Sequence, residues 1–178
     1  DLYQINMAES YWNDNIHEKM AVFDLYFRKM PFNSGYAVFN GLKRVIDFIE
    51  HFGFSESDLE YLKSIGYKDD FLSYLKDLKF TGSIRSMQEG ELCFGNEPLL
   101  RVEAPLIQAQ LIETILLNIV NFHTLITTKA SRIRQIASND KLMEFGTRRA
   151  QEIDAALWGA RAAYIGGFDS TSNVRAVS

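Results

Sequence analysis

Two short apolar runs near the end of this 178-residue chain each lead into a cluster of polar and charged residues. The first runs into Glu-Phe-Gly-Thr-Arg-Arg-Ala at 144–150, and the second into Phe-Asp-Ser-Thr-Ser-Asn at 168–173. A strongly helical segment, 149–162, lies between them and predicts a strand–helix–strand order from about residue 140. Ligands of α/β proteins bind beyond the carboxyl ends of such strands. The pattern therefore favours an enzyme that handles an anion over a simple binding module.

Composition narrows the class of protein further. Hydrophobic residues make up 47% of the chain and aromatic residues 13%, which is enough for a substantial core. The net charge of −4 argues against nucleic acid as a partner. A single cysteine, Cys93, excludes an internal disulfide and is typical of a reducing compartment such as the cytoplasm. We find no signal peptide and no apolar run near the ~18 residues of a membrane span, so no membrane association is predicted.

The first 80 residues predict helices around one strand. Residues 1–12 have apolar positions at helical spacing, with Leu2, Ile5, Ala8 or Glu9, and Trp12 on one side. Residues 20–28 alternate like a strand: Phe23, Leu25 and Phe27 share one face, and Asp24, Tyr26 and Arg28 share the other. Amphipathic helices follow at 41–52, from an N-cap at Ser55 to about Ile65, and at about 68–78 with Phe71, Leu72, Leu75 and Leu78 inward.

The remaining chain predicts short strands and then long helices. Glycines and Pro98 punctuate 81–103, which indicates two or three antiparallel strands. A central apolar helix begins near Pro105 and runs to about Asn121, and a second helix spans about 127–137. A strand is predicted at 141–145, a strand or turn at 164–168, and the start of a helix at 170–177. The order is mixed α+β first, with a domain boundary between residues 138 and 139, and then the entry to a barrel or doubly wound sheet.

The segment 145–149 carries residue types that suit a flat, anionic ligand. Phe145 can stack on a ring, Gly146 allows close backbone approach, and Arg148 and Arg149 offer planar, permanently charged groups. A helix beginning there would add free N–H groups for an anion. The alternative is a solvated helix start with Phe145 in the core. The pattern alone leaves both interpretations open, although two cations at a helix N-terminus oppose its dipole.

The other polar candidates have simpler alternatives. Asp169, Ser172 and Asn173 could line a site, but helix capping is the commoner use of such a cluster. Arg28 could form an ordinary surface ion pair with Asp24, and Tyr3 could be a half-buried core aromatic. The histidines (His17, His51 and His123) show no metal-ligand spacing and are interpreted as structural, and no metal-binding residue is predicted.

Five separated segments together resemble the nicotinate phosphoribosyltransferase family. They are Asp-Leu-Tyr-Gln-Ile-Asn-Met at 1–7, Ala-Val-Phe-Asp-Leu-Tyr-Phe-Arg-Lys at 21–29, Val-Glu-Ala-Pro at 102–105 with Glu-Thr-Ile-Leu-Leu-Asn at 113–118, 144–150, and Gly-Gly-Phe-Asp-Ser-Thr-Ser-Asn at 166–173. The resemblance covers nearly the whole chain, in order. It implies the type II phosphoribosyltransferase-like fold, an α+β N-terminal domain followed by the start of an irregular α/β barrel.

The resemblance also implies a reaction and roles for individual residues. Nicotinate and phosphoribosyl pyrophosphate (PRPP) would give nicotinate mononucleotide and pyrophosphate in NAD biosynthesis, with Mg²⁺ and ATP hydrolysis, a ligase-type classification, and a homodimer with shared active sites. Tyr3 would reach from the partner subunit over the pyridine ring, Phe145 would stack on its other face, and Arg148 would be the catalytic cation. Arg28 would contact PRPP phosphates across the dimer, and Asp169, Ser172 and Asn173 would line the floor.

One departure separates this chain from the family pattern. The family's phosphorylated histidine lies in a Gly-Thr-x-Ala-His-Ser motif beyond Asn173, and the chain ends at Ser178 before it. We therefore expect the chain to be an incomplete, inactive part of the enzyme with an unpaired barrel edge. The alternatives are a nicotinamide- or quinolinate-using relative, a non-catalytic fragment or paralogue, and a generic phosphate-sugar-binding barrel. The last of these leaves Tyr3 and Arg28 unexplained.

Overall fold

The structure, a computed structural model, describes residues 1–176. The chain forms two compact units, and each unit is built from separate stretches of sequence. Unit 1 comprises Asp1–Asp24, Arg44–Arg85 and Arg101–Leu116, and unit 2 comprises Leu25–Lys43, Ser86–Leu100 and Leu117–Ser178. The domain boundary between 138 and 139 stays a prediction.

The chain consists of helices and short strands in mixed order. The helices are α1 (Leu2–Asn13), α2 (Leu42–Glu50), α3 (Glu56–Ser64), α4 (Asp69–Asp77), α5 (Leu106–Ala137) and α6 (Ile153–Ile165). The strands are β1 (Met20–Leu25), β2 (Ala37–Val38), β3 (Ser83–Ser86), β4 (Leu92–Cys93), β5 (Leu100–Pro105), β6 (Met143–Glu144) and β7 (Ser170–Thr171). Short 3-10 turns lie at Pro31–Asn33, Thr147–Arg149 and Val174–Ala176.

A three-stranded sheet with the order β1-β5-β3 forms the centre of unit 1. The predicted alternation along β1 is confirmed, because Phe23 is half-buried whereas Val22 and Asp24 are exposed. The strand ends at Leu25, so the prediction that it continues to residue 28 was wrong and Arg28 follows it. Asp24 pairs with Arg101 on β5 at 2.7 and 2.8 Å rather than with Arg28. The hydrogen bond from Arg101 lowers the pKa of Asp24.

Two predicted helices of unit 1 are confirmed, α3 at its N-terminal cap and α4 on its inward face. Ser55 caps α3 in a capping box with Asp58, as the spacing predicts. The inward residues of α4 are those that the sequence indicates: Phe71, Leu72, Leu75 and the following Leu78 are all buried. Burying these side chains is the main stabilising contribution of so short a helix.

The predicted inward face of α1 was partly wrong. Gln4 and Ala8 are buried, whereas Leu2 is 52% exposed. The Gln4 side-chain amide donates a 2.5 Å hydrogen bond to the backbone carbonyl of Gln110 on α5. A polar residue can occupy an inward position when its donor is satisfied, and an apolar pattern does not reveal that partner.

One continuous helix, α5, replaces the two helices predicted at about 105–121 and 127–137. The intervening Phe-His-Thr-Leu-Ile has low helix propensity, but tertiary contacts override it. Thr124, Thr127 and Thr128 are fully buried and bonded inside unit 2. By length and composition α5 could also cross a membrane, with a mean hydropathy of 1.3 over an 18-residue window, but 44% of that window is buried, as in a core helix.

The threonines of α5 hold the chain around β2 in unit 2. Thr124 and Asn40 exchange two hydrogen bonds, from Thr124 Oγ1 to the Asn40 carbonyl and from the Asn40 N–H to Thr124 Oγ1. The Asn40 amide donates to Thr127 Oγ1 at 2.7 Å, and the Val38 N–H donates to Thr128 Oγ1 at 2.9 Å. Every one of these atoms is bonded because an unsatisfied polar group would be costly to bury.

The strands between residues 81 and 103 divide between two sheets. All three predicted strands form, but β4 pairs antiparallel with β2, whereas β3 and β5 belong to the sheet of unit 1. Cys93 on β4 is a buried free thiol, and burial raises its pKa to about 11. The thiol is therefore protonated at neutral pH and is a poor nucleophile.

The strand–helix–strand order at the end of the chain is confirmed as β6-α6-β7, with local errors. The strand or turn predicted at 164–168 is the end of α6 followed by a turn, and the second strand lies at Ser170–Thr171. Helix α6 begins at Ile153 instead of residue 149, because the Glu152 carboxylate caps it by accepting from the Asp154 N–H. The backbone N–H of Asp154, and then that of Ile153, lower the pKa of Glu152. The helix start predicted at 170–177 was wrong for residues 170–176, which contain β7 and a 3-10 turn. Val177 lies outside the described residues.

Candidate functional site

The parallel pairing of β6 and β7 brings the two predicted junctions together. Met143 lies opposite Ser170 and Glu144 lies opposite Thr171. The ladder begins with a 2.9 Å bond from the Asp169 N–H to the Leu142 carbonyl and ends with a 3.0 Å bond from the Ser172 N–H to the Glu144 carbonyl. The segments after both strands therefore lie at the same edge, as in other α/β ligand sites.

The junction after β6 is a 3-10 turn with an exposed aromatic side chain. Phe145 is 63% exposed, which leaves its ring free to stack on a planar ligand. Arg148 and Arg149 are both exposed in the turn Thr147–Arg149, which Ala150 ends in an extended conformation. The prediction that α6 begins at these arginines and directs its dipole at a ligand was therefore wrong, whereas their clustering beside Phe145 is retained.

The two arginines differ in their surroundings. Arg149 lines a cavity of about 340 Å³ between α5 and α6, together with Lys129, Glu144 and Gly146. Arg148 is not among the residues that line it. Arg148 is therefore the better placed of the two to reach a ligand outside this cavity.

The junction after β7 separates the three predicted floor residues. Ser172 and Asn173 follow the strand and lie beside the β6 junction, whereas Asp169 precedes the strand. The Asp169 carboxylate accepts the Leu142 N–H at 2.8 Å and pairs with Arg134 at 2.5 Å. The Leu142 N–H, and then Arg134, lower the pKa of Asp169.

Arg134, which the sequence reasoning missed, fixes the segments that enter both strands. Its guanidinium donates to the backbone carbonyls of Gly167, Ser138 and Asp140 at 2.6, 3.0 and 2.8 Å, besides pairing with Asp169. A guanidinium carries five donors in a rigid plane, which suits such a set of acceptors. Its place in the final turn of α5 gave no sequence signal for this role.

Helix α6 packs closely against α5 at its carboxyl end. A Cβ at Gly166 would lie 2.5 Å from both the Ala130 side chain and the Thr127 carbonyl, so only glycine fits. Thr127 also donates to the Ala162 carbonyl at 3.1 Å. This close packing fixes α6, and with it the β7 junction, against the long helix.

A second contact missed by the sequence reasoning joins α6 to the chain before α2. Arg161 donates to Glu89 Oε2 at 2.6 Å, and Glu89 Oε1 accepts the N–H groups of Gly41 and Lys43, each at 3.1 Å. Burial works to raise the pKa of Glu89, but the bonds from Arg161, Lys43 and Gly41 outweigh it and the net effect is a lowered pKa.

Tyr3 lies in unit 1 with its hydroxyl fixed and its ring partly free. The hydroxyl donates to Glu113 Oε2 at 2.9 Å and lies 2.9 Å from Thr114 Oγ1. The side chain is 47% exposed, so it is not the core aromatic considered from the sequence. Glu113 and Thr114 belong to a segment on which the family resemblance also rests.

Arg28 lines a separate cavity of about 620 Å³ in unit 2. Its neighbours there include Lys29 and two amides from α5, Asn118 and Asn121. Two cations with amide donors make a surface that suits phosphate oxygens. Arg28 is not among the residues that line the cavity of Arg149.

His123 and His17 are packing residues in their observed surroundings, whereas His51 is exposed. His123 is buried, is bonded through Nδ1 to the Ile119 carbonyl and packs edge-on against Trp158. His17 packs edge-on against Tyr74. Within residues 1–176, no three His, Cys, Asp or Glu side chains are grouped as a metal site.

Structural comparison defines the class of protein. The chain superimposes on the crystal structure of human nicotinic acid phosphoribosyltransferase with a TM-score of 0.93 and 39% identity, over 99% of this chain and 36% of that one. A nicotinate-nucleotide pyrophosphorylase from Pyrococcus furiosus shares the fold at a TM-score of 0.78, with 23% identity over 99% of this chain and 38% of that one. The fold is therefore the mixed α/β fold of pyridine phosphoribosyltransferases.

Sequence comparison identifies the family. Residues 1–121 match the model of the nicotinate phosphoribosyltransferase (NAPRTase) N-terminal domain. Nicotinate phosphoribosyltransferases from Bacillus subtilis and Dictyostelium discoideum are 64% and 47% identical over 99% of this chain, and it covers 36% and 31% of their lengths. The chain belongs to the nicotinate phosphoribosyltransferase family and spans about a third of the length of these relatives.

Proposed function

We propose that the complete protein is a nicotinate phosphoribosyltransferase that forms nicotinate mononucleotide and pyrophosphate from nicotinate and PRPP in NAD biosynthesis. The observation that supports this proposal is the parallel β6–β7 pair, because the segment after β6, with Phe145 and Arg148, and the segment after β7, with Ser172 and Asn173, begin at one edge. Family membership supports it, and the Bacillus subtilis relative is similar over 99% of the chain, which includes these residues.

The chemistry of nicotinate suits these side chains. The molecule is a flat ring with a carboxylate, so an exposed aromatic ring and a guanidinium are matched to it. Breaking the C1–pyrophosphate bond develops positive charge at the sugar, and an aligned ring nitrogen lowers that barrier by proximity. Phe145 would orient the ring, and Arg148 would hold the carboxylate or the ribose phosphate and stabilise charge in the transition state.

In the proposed homodimer, Arg28 and Tyr3 of one subunit would contribute to the active site of the other. Arg28, with Lys29 beside it, would hold PRPP phosphates of the partner's site, and Tyr3 would cover the free face of the pyridine ring there. Asp169 would support the site indirectly, because its carboxylate accepts the Leu142 N–H and so holds the start of β7 beside the start of β6. We place the complete protein in the cytoplasm as a barrel enzyme of the type II phosphoribosyltransferase class, with the domain boundary between 138 and 139.

ATP hydrolysis, Mg²⁺ and the ligase-type classification belong to this proposal through the family alone. Mg²⁺ is commonly bound through substrate phosphates with one or two carboxylates, so it would come with PRPP in this proposal. The family's phosphorylated histidine falls outside this sequence, and none of His17, His51 and His123 lies in its motif.

The test is nucleotide formation by the complete protein with PRPP and each of three bases: nicotinate, nicotinamide and quinolinate. Product from nicotinate that increases with ATP and Mg²⁺ is expected. Product from nicotinamide or quinolinate instead would assign the chain to a relative with another base. Absence of product with all three would identify a non-catalytic paralogue.

Substitution of Tyr3 tests its role as the cover of the ring. In the complete protein we expect Tyr3→Ala to raise the KM for nicotinate about tenfold, because the loss of about 1.4 kcal/mol of ring stacking corresponds to that factor. Tyr3→Phe keeps the ring and loses the bonds to Glu113 and Thr114, so a rise of about two- to threefold is expected. Steady-state kinetics give both values.

The matched control for this test is Tyr61→Ala, because Tyr61 is 62% exposed on α3 of the same unit. It should leave the KM for nicotinate unchanged. An equal effect of Tyr61→Ala, or an unchanged KM in Tyr3→Ala, would contradict the role of Tyr3.

A further inference from the structure

The Glu144 carboxylate bridges the two junctions of the candidate site. One oxygen, Oε1, accepts the backbone N–H of Gly146, which follows Phe145. The other oxygen, Oε2, accepts the Thr171 hydroxyl at 2.7 Å. One side chain therefore contacts the turn that carries Phe145 and the strand that leads to Ser172.

Thr171 extends this hydrogen-bonded connection to the segment after β7. Its hydroxyl oxygen accepts the Asn173 N–H at 3.0 Å while its proton is donated to Glu144. The chain of bonds thus runs from the Gly146 N–H through the carboxylate and the hydroxyl to the Asn173 N–H. It starts from Glu144 and Thr171, the last residue pair of the ladder, and continues to the residues that follow each strand.

Gly146 makes room for this arrangement. A Cβ at residue 146 would lie 2.6 Å from Glu144 Oε1, so any larger residue would displace the carboxylate. The φ of Gly146 is −81°, which any residue adopts, so backbone conformation does not require glycine here. A larger residue at 146 would therefore shift the end of the flexible Glu144 side chain away from the Gly146 N–H.

The bridge needs two acceptors that point in different directions. A carboxylate offers one to each junction, whereas a glutamine offers one acceptor and one donor. A glutamine could accept from Gly146 or from Thr171, but not from both. The charge also strengthens each bond relative to a neutral acceptor.

We propose that Glu144 is a positioning residue that fixes Phe145 and Asn173 relative to each other through Gly146 and Thr171. This inference rests on the proposed function, because the positioned ring is the one assigned to nicotinate. Loss of the bridge allows the junctions to move independently. Misplacement of orienting groups lowers the rate of a positioned reaction without removing any reacting group.

The test uses Thr171→Val and Thr171→Ser in the complete protein. Valine keeps the shape of the side chain and removes the hydroxyl, whereas serine keeps the hydroxyl. We expect Thr171→Val to lower kcat/KM for nicotinate about tenfold and Thr171→Ser to restore it to within about twofold of wild type. Glu144→Gln should resemble Thr171→Val. The KM for PRPP should change by less than about twofold, since its proposed contact, Arg28, lies elsewhere.

Amide hydrogen exchange at Gly146 and Asn173 separates this inference from the proposed function. The Asn173 amide, which loses its acceptor, should exchange faster in Thr171→Val than in wild type, and at least one of the two amides should exchange faster in Glu144→Gln, whatever reaction the protein catalyses. Equal losses in Thr171→Ser and Thr171→Val, or unchanged exchange in Glu144→Gln, would overturn the bridge. Wild-type protein that makes no nucleotide while the amides respond as expected would refute the proposed function and leave the bridge standing.

Discussion

Arg148→Ala in the complete protein should lower kcat/KM for nicotinate by about 10²- to 10³-fold, the usual loss when a group that stabilises transition-state charge is removed. Arg148 lies in the 3-10 turn after β6 and the exposed Phe145, and the segment after β7 begins at the same edge. Arg148→Lys should recover only part of the activity, because an ammonium lacks the planar pair of donors. Initial rates at varied nicotinate and saturating PRPP give these values.

Arg149→Ala is the matched control for this prediction. Arg149 lines the cavity between α5 and α6, so its loss should reduce kcat/KM by less than about tenfold. The reverse order, with Arg149→Ala inactive and Arg148→Ala near normal, would exchange the roles of the two residues.

Glu89→Ala should lower the free energy of unfolding by about 3 kcal/mol, because it leaves a partly buried guanidinium without its carboxylate. The side chains of Glu89 and Arg161 are only 17% and 30% exposed. The N–H groups of Gly41 and Lys43 lose an acceptor as well. Urea denaturation measures the change in the free energy of unfolding. The control is Glu60→Ala, at an exposed position on α3, which should change that free energy by less than about 0.5 kcal/mol.

The same contact predicts a pH dependence of stability. The pKa of Glu89 is lower in the folded protein than in the unfolded one. The carboxylate therefore stabilises the fold at pH values above its unfolded-state pKa, and this stabilisation is lost as the pH falls through its folded-state pKa. The difference in unfolding free energy between wild type and Glu89→Gln should therefore shrink as the pH falls below about 4.3. A difference that stays constant or grows on acidification would show that Glu89 is not held as a carboxylate.

Local sequence signals predicted the elements whose causes are local. The Ser55 cap needs only Asp58 three residues away, and the inward face of α4 follows from spacing. The β6-α6-β7 order was predicted from apolar runs that flank one helical segment, and its parallel pairing brought the junctions together as expected.

The errors and omissions have distant causes. Helix α5 is continuous because its threonines find partners 84 to 90 residues earlier in the chain, at Asn40 and Val38. Arg134 and Arg161 were missed because their acceptors come from other elements. Glu144 was visible in a motif, but its second contact, to Thr171, depends on strand register, which the sequence did not specify.

The network of Asn40 with the α5 threonines also sets an order of events during synthesis. Asn40 leaves the ribosome 84 residues before Thr124 and 87 before Thr127, which amounts to several seconds at about 5–20 residues per second. Over that interval Ala37, Val38 and Phe39, all buried in the finished protein, have no partner from α5. We expect chaperones to bind the nascent chain at this segment. Slower translation after residue 40 should prolong the exposure of the segment.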